Sequence, residues 1–476
     1  MRLNSIFIRA ILITAGLMAI PCANSYAQSV TEGKAESVVF RGSDKKLDIK
    51  VVRDSDGVGM KLVVNGSVAA STGDGSMRRA YYPFLMASRV EKTLLVGIGS
   101  GAPVFAALNA SSASVSVVVE SRDLIKAAEQ MPGDNFGVLK DRRVTYTVEA
   151  PSTWIAKAKG PYDVIMAGHA NRATLADRAL LTQKSFQSYR GLLKETGVFA
   201  QWLNLSSLDT EDLKKIIATF SSVFPHVYIW GGDMNPVNSW IMLAGMNQPM
   251  VLNPEILSAR LKTLDPNRDI TEADNVYSFL SFYVCDGDEI KPLLESAPVI
   301  SKPGDIPFKG GFTEEESMSR SADNFLLLGI YRNPIISKLV ASEPVKEKMS
   351  DYFKARSFIL NGRKVGIAGS AQEEIGLYDK AMTLAPEDPH LALSYLAIGL
   401  AYYRSGILDR AADLLEKAKK ITPDRPQIRF YLGKTYEKMG WSAKANMEFN
   451  ALRELTPDYM ERVNIPTGRA PSAPVN

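Results

Sequence analysis

An alternation of apolar strands with helices between residues 93 and 245 is the feature that most constrains the fold of this chain. It begins with "TLLVGI" (93–98), a continuous apolar run of the kind that forms a parallel strand buried on both faces. A glycine turn, a helical segment and a second buried strand, "SVSVVVE" (114–120), follow. Strand and helix alternate six times, so the pattern predicts an open α/β sheet with helices on both faces.

Two helices of this region have recognisable ends. The segment "LTQKSFQSYRGLLKETG" predicts a helix that stops at Gly197, and "DTEDLKKIIATFSSVFP" predicts a helix capped by Asp209. The further strands predicted here are 143–150, 162–168, 198–204, 226–232 and 239–245.

A small antiparallel β unit is predicted ahead of this region. Residues 37–72 alternate between apolar and polar side chains, and Asn65-Gly66 is a two-residue hairpin signal. The segment "GDGSMRRAYYPFLMAS" that follows predicts a helix of about two turns.

The N-terminus has the layout of a secretory signal peptide. Arg2 and Arg9 form a positive region, an apolar core of 11 residues follows, and "SYA" ends at a small residue, Ala27. Such a core is too short to span a bilayer, so we expect cleavage after Ala27 and export to the periplasm or the outside. A lipoprotein anchor at Cys22 is the less favoured alternative, because proline precedes it and the usual leucine is missing.

The C-terminal part contains an internal repeat. Gly399, Tyr402 and Gly406 recur as Gly433, Tyr436 and Gly440, each 34 residues later. This period, with its small, aromatic and proline positions, is typical of the tetratricopeptide helix-turn-helix and predicts an all-α repeat domain that binds a protein or peptide partner. The other matched pairs are Ala411 with Ala445, Leu415 with Phe449, Ala418 with Leu452, and Pro423 with Pro457; a weaker earlier copy has Gly362, Gly369, Tyr378, Ala381 and Pro386.

Bulk composition excludes several classes of function. The chain has 476 residues, a net charge of +4 and no dense basic stripe, so we expect several domains and no nucleic-acid partner. We expect no membrane span after the signal peptide and no metal, since no Cys/His cluster is present. Cys285 is interpreted as a packed thiol, and "DGDE" (286–289) as an acidic turn rather than a calcium loop. The expected domains are 1–27 (signal peptide), 28–90 (β domain), 91–249 (α/β domain), 250–345 (mostly helical extension), 346–462 (repeats) and 463–476 (tail).

Candidate ligand-binding residues follow three neighbouring strands. Gly97, Gly99 and Gly101 form a turn after the first strand, where glycine lets backbone approach a ligand and leaves helix N–H groups facing it. Glu120 ends the second strand, where an acid can accept both ribose hydroxyls. Glu149 ends the third strand and is a candidate partner for an adenine amino group. The alternative is a tight structural turn beside a solvated acid.

Several motifs in this order resemble the spermidine synthase (polyamine aminopropyltransferase) family. They are "LLVGIGSGAP…VVVE", "KDRRVTYTVEA", "GPYDVIMAG" and "LLTQKSFQSYRGLLKETGVFAQW". The resemblance implies an open, mostly parallel, methyltransferase-like (Rossmann-like) sheet behind a small antiparallel β domain and before the repeats. It also implies an aminopropyl transfer from decarboxylated S-adenosylmethionine to a diamine, with an aspartate beside the attacking amine, and homodimerisation as a possibility.

The resemblance implies that the cofactor half of the site is partly kept. Gly97, Gly99 and Gly101 match the family's glycine turn, and Glu120 matches its ribose acid. Glu149 stands where the family usually has aspartate. A decarboxylated S-adenosylmethionine or a related adenosyl thioether is therefore the expected ligand.

The substrate half departs from the family's pattern. The family's catalytic aspartate is Gly168 here, and its Tyr-His-Glu reads Tyr82-Pro83-Phe84, so Tyr82 is the one candidate left. Arg172 stands in a loop where a diamine requires negative charge. The hypothesis is therefore an exported, non-catalytic binding or scaffold protein.

An active transferase remains the alternative interpretation of the α/β domain. His169 follows Gly168 and is a weak candidate for a relocated general base. In that case the chain is an aminopropyltransferase or another S-adenosylmethionine-dependent transferase with altered specificity.

Overall fold

The computed structural model describes the chain in two compact units, one from Lys34 to Phe353 and one that continues from Lys354. The described residues are 37–44, 47–53, 59–72, 76–168, 178–232, 239–264, 275–306, 313–457 and 459. The predicted signal peptide, Cys22, His169 and Arg172 therefore lie outside the described residues.

The first unit opens with a four-stranded antiparallel sheet in the order β1-β2-β3-β4. The hairpin between β3 and β4 turns at Asn65-Gly66, where both residues have positive φ. One face buries Ile49, Val51 and Leu62 against Ala127 and Met131 of the larger domain. The strands are β1 (Ser37–Arg41), β2 (Ile49–Arg53), β3 (Met60–Val64) and β4 (Ser67–Ser71).

The second sheet is mixed and mostly parallel, in the order β12-β10-β11-β9-β8-β5-β6-β7. Four strand pairings, from β7 to β9, are parallel, and the three pairings from β9 to β12 are antiparallel. The expected fold class is thereby confirmed. The strands are β5 (Lys92–Val96), β6 (Ser114–Val119), β7 (Val144–Val148), β8 (Tyr162–Ala167), β9 (Leu193–Asn204), β10 (His226–Gly231), β11 (Trp240–Met246) and β12 (Tyr283–Asp286).

Helices connect these strands and continue beyond them. The first is longer than the sequence pattern predicts, since it spans 11 residues. The helices of this unit are α1 (Ser76–Met86), α2 (Ala102–Asn109), α3 (Arg122–Glu129), α4 (Pro132–Asn135), α5 (Pro151–Ile155), α6 (Gln183–Gly191), α7 (Thr210–Ser221), α8 (Pro254–Leu264), α9 (Val276–Leu280), α10 (Gly287–Leu294) and α11 (Glu314–Gly329). Short 3₁₀ turns occupy Val138–Lys140, Leu205–Ser207, Pro303–Asp305 and Ile335–Lys338.

The prediction of a helix up to Gly197 is wrong. Helix α6 ends at Gly191, and "LKETG" instead begins strand β9. Tyr162 pairs with Leu193 and donates its backbone N–H to the carbonyl of Leu192 at 2.8 Å. Pairing with β8 therefore outweighs the local helical propensity of this segment.

Asp209 occupies the N-cap position predicted for it, but its side chain pairs with another helix instead of capping this one. Asp209 immediately precedes α7, yet its side chain makes no hydrogen bond to the helix N–H groups. Its carboxylate pairs with Arg320 of α11 instead.

The extension after the α/β domain contributes an edge strand that the sequence pattern did not reveal. Strand β12 pairs with β10 and contains Cys285, which is fully buried. The acidic turn beside it is a capping box for α10, in which Asp286 accepts from the backbone N–H groups of Asp288 and Glu289. Lys338 also pairs with Asp286 at 2.7 Å, so these carboxylates are engaged in the fold.

The second unit consists of antiparallel helix pairs. Gly399 packs against Leu415 and Gly433 against Phe449, so the small residues allow close helix approach as expected. Gly406 and Gly440 have φ values of 76° and 77° in the turns within pairs. The helices from the unit boundary onward are α12 (Glu343–Ile367), α13 (Ala371–Leu384), α14 (Pro389–Arg404), α15 (Leu408–Ile421), α16 (Pro426–Lys438) and α17 (Ser442–Leu455). None of the described helices combines the length and apolar character needed to cross a membrane.

Candidate functional site

A cavity of about 190 Å³ lies at the carboxyl ends of the parallel strands. Its floor is formed by the ends of β5, β6, β8 and β9, and the first sheet covers one side through residues such as Leu62 and Ala70. This is the edge at which an open α/β sheet binds its ligands.

The glycine turn places open backbone on the cavity wall. Gly97 and Gly99 both line the cavity, with φ values of 91° and 54°. No atom lies within 4 Å of the position that a Cβ of Gly97 would take, and the nearest to that of Gly99 is Ala70 Cβ at 3.8 Å. The space that side chains leave at these two residues is therefore available to a ligand.

Gly101 serves a different purpose from the other two glycines. It has φ 88° and is not among the lining residues, and a Cβ there would stand 2.7 Å from Cβ of Asn135. Asn135 is buried and donates through Nδ2 to the carbonyls of Ser100, Ala128 and Met131. The absence of a side chain at Gly101 thus leaves room for Asn135, which holds the turn through its hydrogen bond to Ser100. The sequence pattern did not indicate this role because Asn135 is 35 residues from Ser100.

Glu120 lines the cavity immediately after β6. Its side chain is half-buried, and burial raises its pKa above the ordinary value, with a further contribution from the carboxylate of Asp44. Asp44 comes from the loop after β1, so the small sheet brings a second acid near the first. The sequence pattern did not indicate this neighbour, because 76 residues separate the two in the chain.

Glu149 lies apart from the cavity. It follows β7 and forms an ion pair with Lys157, with 2.6 Å between the carboxylate oxygen and Nζ, while its side chain is 27% exposed. It is not among the residues that line the cavity, whereas the nearby Pro151 is. The structure therefore brings Gly97, Gly99 and Glu120 together and leaves Glu149 outside this group.

Gly168 lines the cavity after β8, on the side of β5 away from β6 and Glu120. The Gly168 N–H donates to the carbonyl of Val96 at 2.8 Å, and its own carbonyl accepts from Nε2 of Gln201 at 3.2 Å. A Cβ at Gly168 would stand 3.0 Å from the Val96 oxygen. Gly168, the position at which the family has an aspartate, thus lies close against the end of β5 and presents only backbone atoms to the cavity.

Gln201 is a functional candidate that the sequence analysis missed. It is 1% exposed and lines the cavity. Its Nε2 donates to the carbonyls of Gly168 and Trp202, while Oε1 has no hydrogen-bond partner. Because both Nε2 contacts are carbonyl oxygens, the amide orientation is set and Oε1 is left as a buried acceptor.

Arg79 brings a buried positive charge to the same end of the cavity. It lies on α1, is 5% exposed, and its guanidinium stands 4.8 Å from the centre of the Trp240 ring. Arg79, Trp202 and Trp240 all line the cavity. No pattern in the sequence separated Arg79 from its neighbour Arg78, which does not line the cavity.

Tyr82 lies in an aromatic core and does not line the cavity. Its ring contacts Phe279 edge-on at 4.9 Å between centroids and is 5.8 Å from Trp202. Its hydroxyl donates to the carbonyl of Gly232 at 3.5 Å. Its role as a substrate residue stays a prediction, as does that of His169, which lies outside the described residues.

No cluster of His, Cys, Asp and Glu suited to a metal ion occurs in the described part of the chain. The open glycine turn and the acid after the second strand together line one cavity at the carboxyl edge of a mixed α/β sheet, the edge at which sheets of this class bind ligands.

The α/β region is similar in sequence to known polyamine aminopropyltransferases. It is 23% identical over 213 residues to the polyamine aminopropyltransferase of Thermotoga neapolitana, and this match covers 44% of the chain and 72% of the relative. The match to the polyamine aminopropyltransferase of Thermotoga maritima has the same identity and extent.

Solved structures similar to the chain include a spermidine synthase in complex with the transition state analogue AdoDATO. That structure is 21% identical, with a TM-score of 0.41 over 44% of this chain and 74% of the other. A probable spermidine synthase from Corynebacterium glutamicum is 15% identical, with a TM-score of 0.40 over 59% of this chain and all of the other (100%).

A family model of the TPR repeat matches residues 399–440. The sequence matches confirm the resemblance to spermidine synthases over about 44% of the chain, and the family model confirms the repeat.

Proposed function

We propose that this protein binds an adenosyl nucleoside in the cavity without transferring an aminopropyl group to a diamine, and that its repeats bind a protein partner. The observation that carries the proposal is that Gly97, Gly99 and Glu120 line one cavity whose far end holds Gly168 and Arg79. One half of the site suits a nucleoside, and the other lacks the features that a diamine requires.

The nucleoside half supplies three kinds of contact. Backbone at Gly97 and Gly99 is open to close approach, and the carboxylate of Glu120 can accept hydrogen bonds from both ribose hydroxyls. Leu124 and Pro151 also line the cavity and offer apolar surface for a base. An adenosyl thioether or sulfonium fits this set of residues.

The far half does not offer what amine attack requires. A diamine carries positive charge, and one nitrogen must lose its proton before it attacks a sulfonium carbon. Among the described residues that line the cavity, Glu120 is the only carboxylate, and it stands at the nucleoside end. Arg79 adds charge of the sign that repels a diamine.

Calorimetry on the mature protein tests the nucleoside half. We expect S-adenosylmethionine, its decarboxylated form or methylthioadenosine to bind, and we expect Glu120→Gln to weaken binding by about tenfold or more, since it removes a charged acceptor. Glu149→Gln is the matched control, because Glu149 also ends a strand but does not line the cavity. Absence of binding by all three ligands contradicts the proposal.

The pH dependence of binding gives a second test of Glu120. The ionised carboxylate offers two charged acceptor oxygens to the hydroxyls, whereas protonation turns one of them into a donor, and burial raises the pKa of Glu120. Affinity should therefore rise as pH increases through that raised pKa, and Glu120→Gln should remove this dependence. An assay with decarboxylated S-adenosylmethionine and putrescine tests the other half, and formation of spermidine would identify an active transferase.

The repeat domain is proposed to bind a partner after export. Its support is the TPR match at residues 399–440 and the signal-peptide pattern at the N-terminus. Fractionation with N-terminal sequencing checks export, for which a mature chain that starts at Gln28 is expected. Cross-linking of the full chain, compared with a chain truncated before the repeats, checks the partner, and identical cross-linked species from both contradict this role.

A further inference from the structure

The charge at the far end of the cavity points to the chemistry of the ligand's tail. Helix α1 packs against β8 and β9, which lead to Gly168 and carry Gln201. Arg79 of this helix and Gln201 both line the cavity beside Trp202.

In the sheet order β9-β8-β5-β6, two strands separate the strand of Gln201 from the strand that Glu120 follows. Arg79 lies on the side of Gln201, since its Cδ and the Trp202 ring both border Gly232. The buried guanidinium and the buried amide therefore stand away from Glu120.

Arg79 differs from its neighbour Arg78 in what it faces. The two are almost equally buried, at 5% and 6% exposed, and each guanidinium stands over an aromatic ring, that of Trp240 for Arg79 and that of Phe282 for Arg78. Only Arg79 lines the cavity. A guanidinium has five N–H donors, and a carboxylate can occupy two of them at once.

Gln201 supplies an acceptor for the ammonium group of an amino acid. Its Oε1 is buried and has no hydrogen-bond partner, and an unsatisfied buried acceptor is costly unless a ligand donor meets it. An ammonium group next to a carboxylate would donate to Oε1 while the carboxylate meets Arg79.

We propose that the cavity selects an adenosyl ligand whose tail is an amino acid, with a carboxylate bound by Arg79 and an ammonium bound by Gln201. The proposal rests on the proposed nucleoside function and narrows its substrate class. Such a cavity favours S-adenosylmethionine or S-adenosylhomocysteine over decarboxylated S-adenosylmethionine, because the tail of the decarboxylated ligand brings only positive charge to Arg79.

Calorimetry with paired ligands tests this selectivity. S-adenosylmethionine and its decarboxylated form differ only in the carboxylate, and we expect the former to bind the wild-type protein at least tenfold more tightly. We expect Arg79→Met to reduce this preference to within threefold. Arg78→Met, the matched control on the same helix, should keep the wild-type preference.

A second pair of ligands requires no variant. S-adenosylhomocysteine carries the amino-acid tail and methylthioadenosine lacks it, so the former should also bind the wild-type protein at least tenfold more tightly. This comparison decides the question if either arginine variant fails a thermal-unfolding check.

The failures of the two proposals are distinguishable. Equal or tighter binding of the decarboxylated ligand, or a preference that survives Arg79→Met, overturns the amino-acid tail and leaves nucleoside binding intact. Absence of binding by every adenosyl ligand overturns nucleoside binding and the selectivity with it.

Discussion

Glycine has one role in the cavity wall of the α/β unit and the opposite role at the helix contacts of the repeat unit. At Gly97 in the α/β unit, nothing lies within 4 Å of where a Cβ would be. In the repeat unit, the Cβ position of Gly433 is 2.6 Å from the ring of Phe449, and that of Gly362 is 2.6 Å from the ring of Tyr378. At this position on the cavity wall the space stays open, and at these two helix contacts a side chain of the facing helix fills it.

The difference separates glycines of a candidate binding site from glycines that allow close helix packing. Glycine in the cavity wall has positive φ and faces open space, so it gives a ligand access to the backbone. Glycine in the repeat helices lets two helices approach, and the gain is van der Waals contact. Substitutions at both kinds of glycine, and at the groups that fill their space, test this distinction.

The largest expected effect concerns Glu374, whose carboxyl fills the space beside Gly366. Burial raises its pKa to about 7, against smaller opposing effects of the Tyr378 hydroxyl and of the charge on Arg363. Folding therefore takes up a proton, and the free energy of unfolding should fall as pH rises from about 4.5 to about 7. At about 1.4 kcal/mol per pKa unit, the loss is on the order of 3 kcal/mol.

Calorimetric unfolding of the full chain at pH 5 and pH 8 measures this loss. Glu374→Gln should make the repeat unit lose less stability over this range than the wild type. Glu373→Gln is the matched control, because Glu373 is exposed and adjacent in sequence. Equal pH dependence in the wild type and Glu374→Gln would show that Glu374 does not titrate in this range.

The next effect concerns Gly433. Gly433→Ala places a methyl group against the Phe449 ring, and overpacking of this kind costs about 1–3 kcal/mol of unfolding free energy. Gly376→Ala is the control within α13, where a Cβ meets nothing within 4 Å. It should stabilise the chain by up to about 1 kcal/mol through helix propensity. Denaturant unfolding of both variants measures the contrast, and similar changes would remove the packing argument.

The third effect concerns Gly97. Gly97→Ala should cost about 1–2 kcal/mol of stability because of its positive φ, and should weaken nucleoside binding by about tenfold because the methyl group occupies the cavity wall. Gly137→Ala shares the positive φ and the open surroundings but does not line the cavity. Calorimetry should show lost affinity only for Gly97→Ala; an equal loss at Gly137 would trace the effect to backbone strain.

The smallest effect is expected at Gly168, where space is neither open nor filled. A Cβ there is 3.0 Å from the carbonyl of Val96, so a small backbone shift accommodates it. Gly168→Ala should change stability by about 1 kcal/mol or less and leave nucleoside affinity within threefold. Gly168→Asp should still form no spermidine, because Arg79 remains at the same end of the cavity; product in a coupled assay would contradict the charge argument.

Local pattern was sufficient to predict most elements of the fold. Continuous apolar runs identified β5, β6 and β8, and the 34-residue period identified the repeat helices. The failures were local as well: the segment before Gly197 has helical propensity but pairs with β8, and β12 was hidden in an irregular extension. Strand pairing joins residues distant in the chain, so local spacing does not reveal it.

The sequence made only one half of the candidate site accessible, the half proposed to bind a nucleoside. Glycine spacing and an acid after the next strand indicated Gly97, Gly99 and Glu120 as candidates, because these features lie within one strand-helix-strand unit. Gln201 and Arg79 lie in ordinary strand and helix contexts, and only the tertiary structure places both on the cavity wall.

The sequence by itself determined the order of the elements, the glycine turn and the repeat period, since each depends on residues close together in the chain. The tertiary structure decided which glycines face open space, that burial and then the charge of Asp44 raise the pKa of Glu120, and that Arg79 lines the cavity while Arg78 does not. These outcomes depend on distances between residues far apart in sequence, and such distances exist only once the sheet and its covering helices have formed.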